Sequence, residues 1–174
     1  MRSHLKPAGK LNTREIVSLA LLGSVMFVSK AVMASLPNIH LNAVIIILGA
    51  VFFGWRVMYS IVIYIMLEGL IFGFSLWWGC YWYLWPLLGA AAVIMRNNRS
   101  SFFWAVAAGI HGLTFGALCS IPYLFIGGWE MAFSSWINGI PFDLAHCAGN
   151  FVLTLILFKP LYSAMEKVCT EINI

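Results

Sequence analysis

Val57 to Leu76 reads VMYSIVIYIMLEGLIFGFSL, twenty residues whose one charge is Glu68. A helix needs about 20 mostly apolar residues to cross a hydrocarbon core of about 30 Å. The run does not alternate polar with apolar, and Ile, Leu, Val and Met dominate it. It therefore reads as a helix that crosses a membrane, not as a barrel strand. Working outward, the same texture recurs on both sides. Apolar runs are expected as helices at about 15–35, 41–53, 57–76, 81–95, 102–125 and 140–162. Their breaks are polar or rich in Gly and Pro: Pro37-Asn38, Gly54-Trp55-Arg56, Arg96-Asn97-Asn98-Arg99 and Gly127-Gly128.

Composition extends this reading to the whole chain. The 174 residues are 62% hydrophobic and 9% charged, and mean hydropathy is +0.92. Soluble chains carry about 25% charged residues, so this one cannot cover a water-facing surface. The expected fold class is all-α, a single six-helix transmembrane domain over residues 1–174. The net charge of +4 calls for a membrane explanation and not a nucleic-acid one. With the N-terminus inside and six crossings, the inner segments hold Arg2, Lys6, Lys10, Arg14, Arg56, Arg96, Arg99, Lys159 and Lys167. Those are nine of the ten basic residues, the distribution of a protein with both termini cytoplasmic. The expected location is a plasma membrane, crossed several times, with anionic lipid as a neighbour of the basic side. Val32-Met33-Ala34 looks like a signal-peptidase site after a basic leader, but the segment is expected to be retained.

The opposite side has another character. Six of the eight tryptophans fall at the outer end: Trp77, Trp78, Trp82, Trp85, Trp129 and Trp136. Membrane proteins place aromatic belts at both interfaces, so this asymmetry points to an aromatic-lined outward pocket. Asn38 and His40 in the first outer connection, together with Tyr81 and Tyr123, join the candidate lining. The external loop is expected to carry Trp129, Glu130 and Trp136. The last run opens with Asn138, and Asp143, His146 and Asn150 follow at i, i+3 and i+7, one stripe of a helix. That stripe either contacts a ligand or bonds to neighbouring helices.

Polar groups within a membrane are costly and are candidates for function. Glu68 lies 12 residues from Arg56, about 18 Å up a helix. Lys30 reaches a comparable height on the first helix, so the two are a candidate structural ion pair. Ala20 and Ser24, four apart, form a small-residue face that admits another helix, from this chain or from a partner. No GxxxxGK[ST], HExxH or GxSxG is present, so ATP hydrolysis by a phosphate loop, zinc proteolysis and serine hydrolysis of those types are not expected. No metal and no cofactor are expected, although His111 with the stripe would make a legal ligand set. The four cysteines have no metal-binding spacing and read as small hydrophobes.

Several stretches together resemble one family. They are Leu11-Asn-Thr-Arg-Glu-Ile, the Ala20–Ser24 face, Tyr83-Leu-Trp-Pro86, Gly116-Ala-Leu-Cys-Ser-Ile-Pro-Tyr-Leu-Phe125 and Gly139-Ile-Pro-Phe-Asp-Leu-Ala-His146 running to Asn150-Phe151. The chain resembles an S component, the substrate-binding membrane subunit of an energy-coupling factor (ECF) vitamin transporter, and is most similar to the cobalamin type. S components for pyridoxal-type vitamins or pantothenate look alike at this level. The family pattern on the first helix is alanine-x-x-x-alanine, and here its second position is Ser24. The resemblance implies that Ala20 and Ser24 meet a transmembrane coupling subunit, which works with two ATPase subunits. It also implies a vitamin bound at the outer end and no enzymatic activity. An intramembrane enzyme using Asp143 and His146, or a membrane scaffold, are the readings of other classes.

Overall fold

A computed structural model describes residues 11–36 and 38–171. The basic residues Arg2, Lys6 and Lys10, and Pro37, lie outside them. The described chain forms α1 (Thr13–Val32), α2 (Asn42–Phe53), a 3-10 turn (Gly54–Arg56), α3 (Val57–Phe72), α4 (Leu76–Ile94), α5 (Ser101–Cys119) and α6 (Ile121–Glu171). No strand occurs among the described residues.

Local chemistry sets several of these boundaries. Asn12 caps α1: its Oδ1 accepts from the Glu15 N–H at 2.8 Å, and Glu15 Oε2 accepts from the Asn12 N–H at 2.9 Å. This reciprocal box satisfies two of the N–H groups that a helix start leaves without partners. Ser75 and Ser100 cap α4 and α5 through bonds from Trp78 N–H and Phe103 N–H.

Packing places α2 at the centre. Asn42 through Ala50 are all buried, and α2 touches every other helix. Around it, α1 lies on α3, and α5 and α6 form the most extensive helix pair. Polar groups go inward: Glu15, Asn42, Ser60, Glu68, Asp143 and Thr154 are all buried. Apolar side chains point outward, such as Val17, Leu21 and Val25 on α1 and Phe102 and Ile110 on α5. An apolar outer surface of this extent, around a core that also holds polar groups, suits an apolar surrounding. Four helical stretches among the described residues are long and apolar enough to cross a membrane: Thr13–Val32, Asn42–Phe72, Ser101–Cys119 and Ile121–Glu171.

Several expected boundaries change. Six separate crossings are not what the helices display. The runs expected at 41–53 and 57–76 are joined by the 3-10 turn into the single stretch Asn42–Phe72. The run expected at 81–95 begins at Leu76, so Trp77 and Trp78 are helical rather than in a loop. Its tryptophans and tyrosines keep α4 outside the four crossing-length apolar stretches. The expected external loop with Trp129, Glu130 and Trp136 is helix. α6 is interrupted only at Gly127 (φ −137°, ψ 19°) and Gly128 (φ +72°, ψ −168°). A left-handed φ at Gly128 is open to glycine at little cost, so the chain turns there and resumes its helix at once. The last helix therefore neither begins at 140 nor ends at 162, and Pro141 lies in its interior. The fifth run stops at Cys119, not at 125.

Candidate functional site

Three close helix contacts build the site. Ser60 Oγ donates to Leu19 O at 2.8 Å, and a Cβ on Gly23 would lie 2.6 Å from Ser60 O. Gly23 thus lets α1 lie directly on α3, and this brings Lys30 opposite Glu68. The Lys30 Nζ–Glu68 Oε2 distance is 2.5 Å, and Lys30 also donates to Tyr81 Oη at 3.1 Å. A second pair, Arg56 with Glu15, joins the other ends of the same two helices.

The α5–α6 seam is a row of glycines. Gly109, Gly112 and Gly116 face α6, and a Cβ on Gly112 would lie 2.8 Å from the backbone of His146 and Cys147. Asp143 Oδ1 accepts from the Gly116 N–H at 2.8 Å, and Asn150 Nδ2 donates to Ala108 O at 3.2 Å. Two members of the Asp143–His146–Asn150 stripe thus bond to the α5 backbone. His146, between them, turns its ring toward Phe115 and His40, with centroids 4.8 and 5.1 Å away.

At the end of the bundle where α1 gives way to α2 and α3 to α4, these contacts leave a cavity of about 330 Å³. The α1–α2 connection forms one wall through Asn38, Ile39 and His40. Asn38 has φ +57° and donates from Nδ2 to Phe142 O at 3.3 Å, which ties this connection to α6. Lys30 and Glu68 form a charged edge, and Trp78, Tyr81, Trp85 and Phe115 supply ring surface. Trp85 is the hub, with Phe115 and His111 5.5 Å away, His40 at 5.6 Å and Tyr81 at 6.0 Å. Trp85 Nε1, Glu68 Oε1 and His146 Nε2 are buried and find no hydrogen-bond partner among the described residues. His40, in the connection, is 8% exposed. Burial first, and the nearby Lys30 charge second, push its pKa down from 6.5 to about 4.

Of the residues singled out in the sequence, Lys30, Asn38, His40, Glu68, Trp78, Tyr81, Trp85 and His146 line this cavity. Asp143, Asn150, Trp82, Tyr123, Trp136 and Asn138 are not among its lining residues. Trp82 is 41% exposed and packs edge-on against Trp78. Trp136 contacts Phe133 on the exposed part of α6, and Asn138 donates to Ser134 Oγ at 3.4 Å. Tyr123 sits half-buried just after the start of α6. His111 bonds to Leu84 O at 3.2 Å behind Trp85. No group of three or more metal-ligating side chains occurs among the described residues, and the four cysteines are free.

Ala20 and Ser24 are half-buried on the flank of α1, beside the exposed Val17, Leu21 and Val25. Gly23, which makes the contact with α3, and the glycine row on α5 escaped the reading of the sequence. The spacing Gly109-x-x-Gly112-x-x-x-Gly116 was the signal that marks the row on α5. No protein-family model matches the chain, and no curated protein and no solved structure matches it.

Proposed function

We propose that this protein is the substrate-capturing subunit of an ATP-driven membrane importer, an S component of the ECF type, for a vitamin or vitamin precursor. The observation that carries the reading is the cavity at one end of the bundle. Aromatic residues and the bonded Lys30–Glu68 pair converge there from both halves of the chain. Pockets of this size and mixed lining are typical of small-molecule sites.

The flank of α1 supports the rest of the reading. Ser24 Oγ donates to Ala20 O at 3.0 Å, so its hydroxyl is satisfied within the helix. The face it shares with Ala20 is small and makes no further polar demand, which suits close approach by a helix of the coupling subunit. Two ATPase subunits complete the proposed complex. In this reading the chain crosses a bacterial plasma membrane several times with both termini cytoplasmic, and it catalyses no reaction. A corrinoid stands among the candidate substrates beside pyridoxal-type vitamins and pantothenate.

The experiment is uptake of a radiolabelled vitamin panel by cells expressing the protein with and without a coupling subunit and ATPases. Accumulation of one vitamin that requires all components is expected. Uptake of none, or uptake that persists without the ATPases, refutes the proposal.

A further inference from the structure

We infer that Cys80 and Cys119 are a disulfide-forming pair, a covalent tie between α4 and α5 beside the cavity that an external disulfide oxidant closes. The inference rests on the capture reading in one respect: it takes the cavity end of the bundle as the outer side, where disulfides form and persist.

Placement is the first reason. Cys80 lies in the second turn of α4, and Cys119 is the last residue of α5. They are 39 residues apart, yet Cys80 Sγ donates to Cys119 O at 3.7 Å and the two thiols are in hydrogen-bond contact. The other two cysteines are placed differently. Cys147 lies against Gly109 and Gly112, and Cys169 is near the far end of α6. The neighbours of the pair belong to the cavity. Tyr81 follows Cys80 and accepts from Lys30, and Phe115 lies one turn before Cys119; both line the cavity. A bond between the thiols therefore fixes the spacing of two helices that build its wall.

Access and compliance are the second. Cys80 and Cys119 are buried, but Tyr83, which lies against Cys80, is exposed. Its Oη donates to Leu118 O at 2.8 Å. Pro122, four residues beyond Leu118, has no N–H to give that carbonyl, so the phenol takes the place of a helical bond. Tyr83 thus clasps the end of α5 over the thiols, and a swing of its side chain opens them. The α-helix is interrupted at Ser120, so the Cys119 backbone can follow its sulfur as the pair closes to about 2 Å. The step is a thiol–disulfide exchange. Cys80 loses its proton and its sulfur attacks one sulfur of the external disulfide, releasing the other as a thiolate. Cys119 loses its proton and attacks the Cys80 sulfur of the mixed disulfide, releasing the second thiolate. One S–S bond forms and one breaks, and the two protons end on the sulfurs of the reduced oxidant.

The test treats the reduced full chain in lipid nanodiscs with 4,4′-dithiodipyridine, a small disulfide, then denatures it, labels the remaining thiols with a maleimide and maps the peptides by mass. A Cys80–Cys119 linked peptide that dithiothreitol abolishes is expected. Cys80→Ser and Cys119→Ser should each give no linked peptide and leave the other cysteine as a mixed disulfide. The oxidised parent is expected to melt about 5 °C or more above the reduced one, because the bond closes a long loop of the unfolded chain. Tyr83→Phe should form the link at least threefold faster than the parent. The inference is overturned if Cys80 and Cys119 both end as mixed disulfides, if either couples to Cys147 or Cys169 instead, or if the oxidised chain melts no higher than the reduced one. A Tyr83→Phe rate equal to the parent's removes the clasp. In cells trapped with acid before labelling, the link is expected, and its loss is expected in a strain lacking the extracytoplasmic thiol oxidase. A link that forms in nanodiscs and never in cells overturns the outward placement of this end, and with it the orientation in the capture reading. No link in nanodiscs, with vitamin uptake that requires the coupling subunit and ATPases, overturns this inference and leaves the capture reading standing.

Discussion

Gly112→Ala tests whether α5 and α6 are as close as the site requires. The added Cβ would lie 2.8 Å from Cys147 N and from both the carbonyl carbon and oxygen of His146. Non-bonded carbons rest at about 3.5–4.0 Å, so the helices must separate by about 0.7 Å or more. All three obstructing atoms are backbone, so no side chain can rotate away. Overpacking of this kind costs about 1–3 kcal/mol, and a rigid backbone on both sides places it near the upper end, about 2–3 kcal/mol. In a chain of this length each kcal/mol moves Tm by about 2–4 °C, so a fall of about 5–10 °C is expected. The same displacement carries His146 away from Phe115 and weakens ligand binding. Gly109→Ala is the matched control, since its Cβ would meet Phe151 Cβ at an ordinary 3.5 Å. Gly139→Ala, with nothing within 4 Å, is the second. The assay is thermal unfolding in one detergent, followed by circular dichroism. If Gly112→Ala melts within about 1 °C of Gly109→Ala, the close seam is wrong.

Three further outcomes are expected. Lys30→Met leaves Glu68, 4% exposed, without its partner, at a cost of about 3 kcal/mol; Lys30→Met with Glu68→Leu should recover most of that stability, and a double variant no better than the single one would remove the pair from the stabilising contacts. Ala20→Trp with Ser24→Trp should abolish co-purification with the coupling subunit while ligand binding to the isolated protein survives, and loss of binding would place that face in internal packing. His40 has a folded pKa of about 4 against 6.5 unfolded, so the unfolded chain binds the extra proton between those values. Its contribution is fully present above pH 6.5 and is lost as pH falls toward 4, by up to about 3 kcal/mol; a His40→Phe variant whose acid-unfolding profile matches the parent would show that another group governs that window.

The all-helical class and the presence of long apolar helices were legible in the sequence, though their number and bounds were not, because twenty apolar residues with one charge leave a backbone few other ways to satisfy its hydrogen bonds. Lys30 and Glu68 stood out for a related reason: an ionisable group in an apolar run needs a partner, and each was the other's counterpart. What tertiary structure alone decided was direction. Asp143, His146 and Asn150 share one face of one helix, yet His146 lines the cavity while the other two bond to the α5 backbone. Helical spacing defines a shared face, and only the neighbour lying against each turn determines what that face meets. The aromatic residues divided in the same way, with Trp85 the buried hub and Trp136 on an exposed turn of α6. The segment around Trp129 reads as a loop because two glycines precede it. Gly127 and Gly128 break the helix for two residues only, since the left-handed φ that ends one helix serves equally well to start the next. Gly23, Gly112 and Gly116 completed the site by what they lack. The spacing of the glycines on α5 marks a face without Cβ atoms, but only packing decides which helix lies where those atoms would have been.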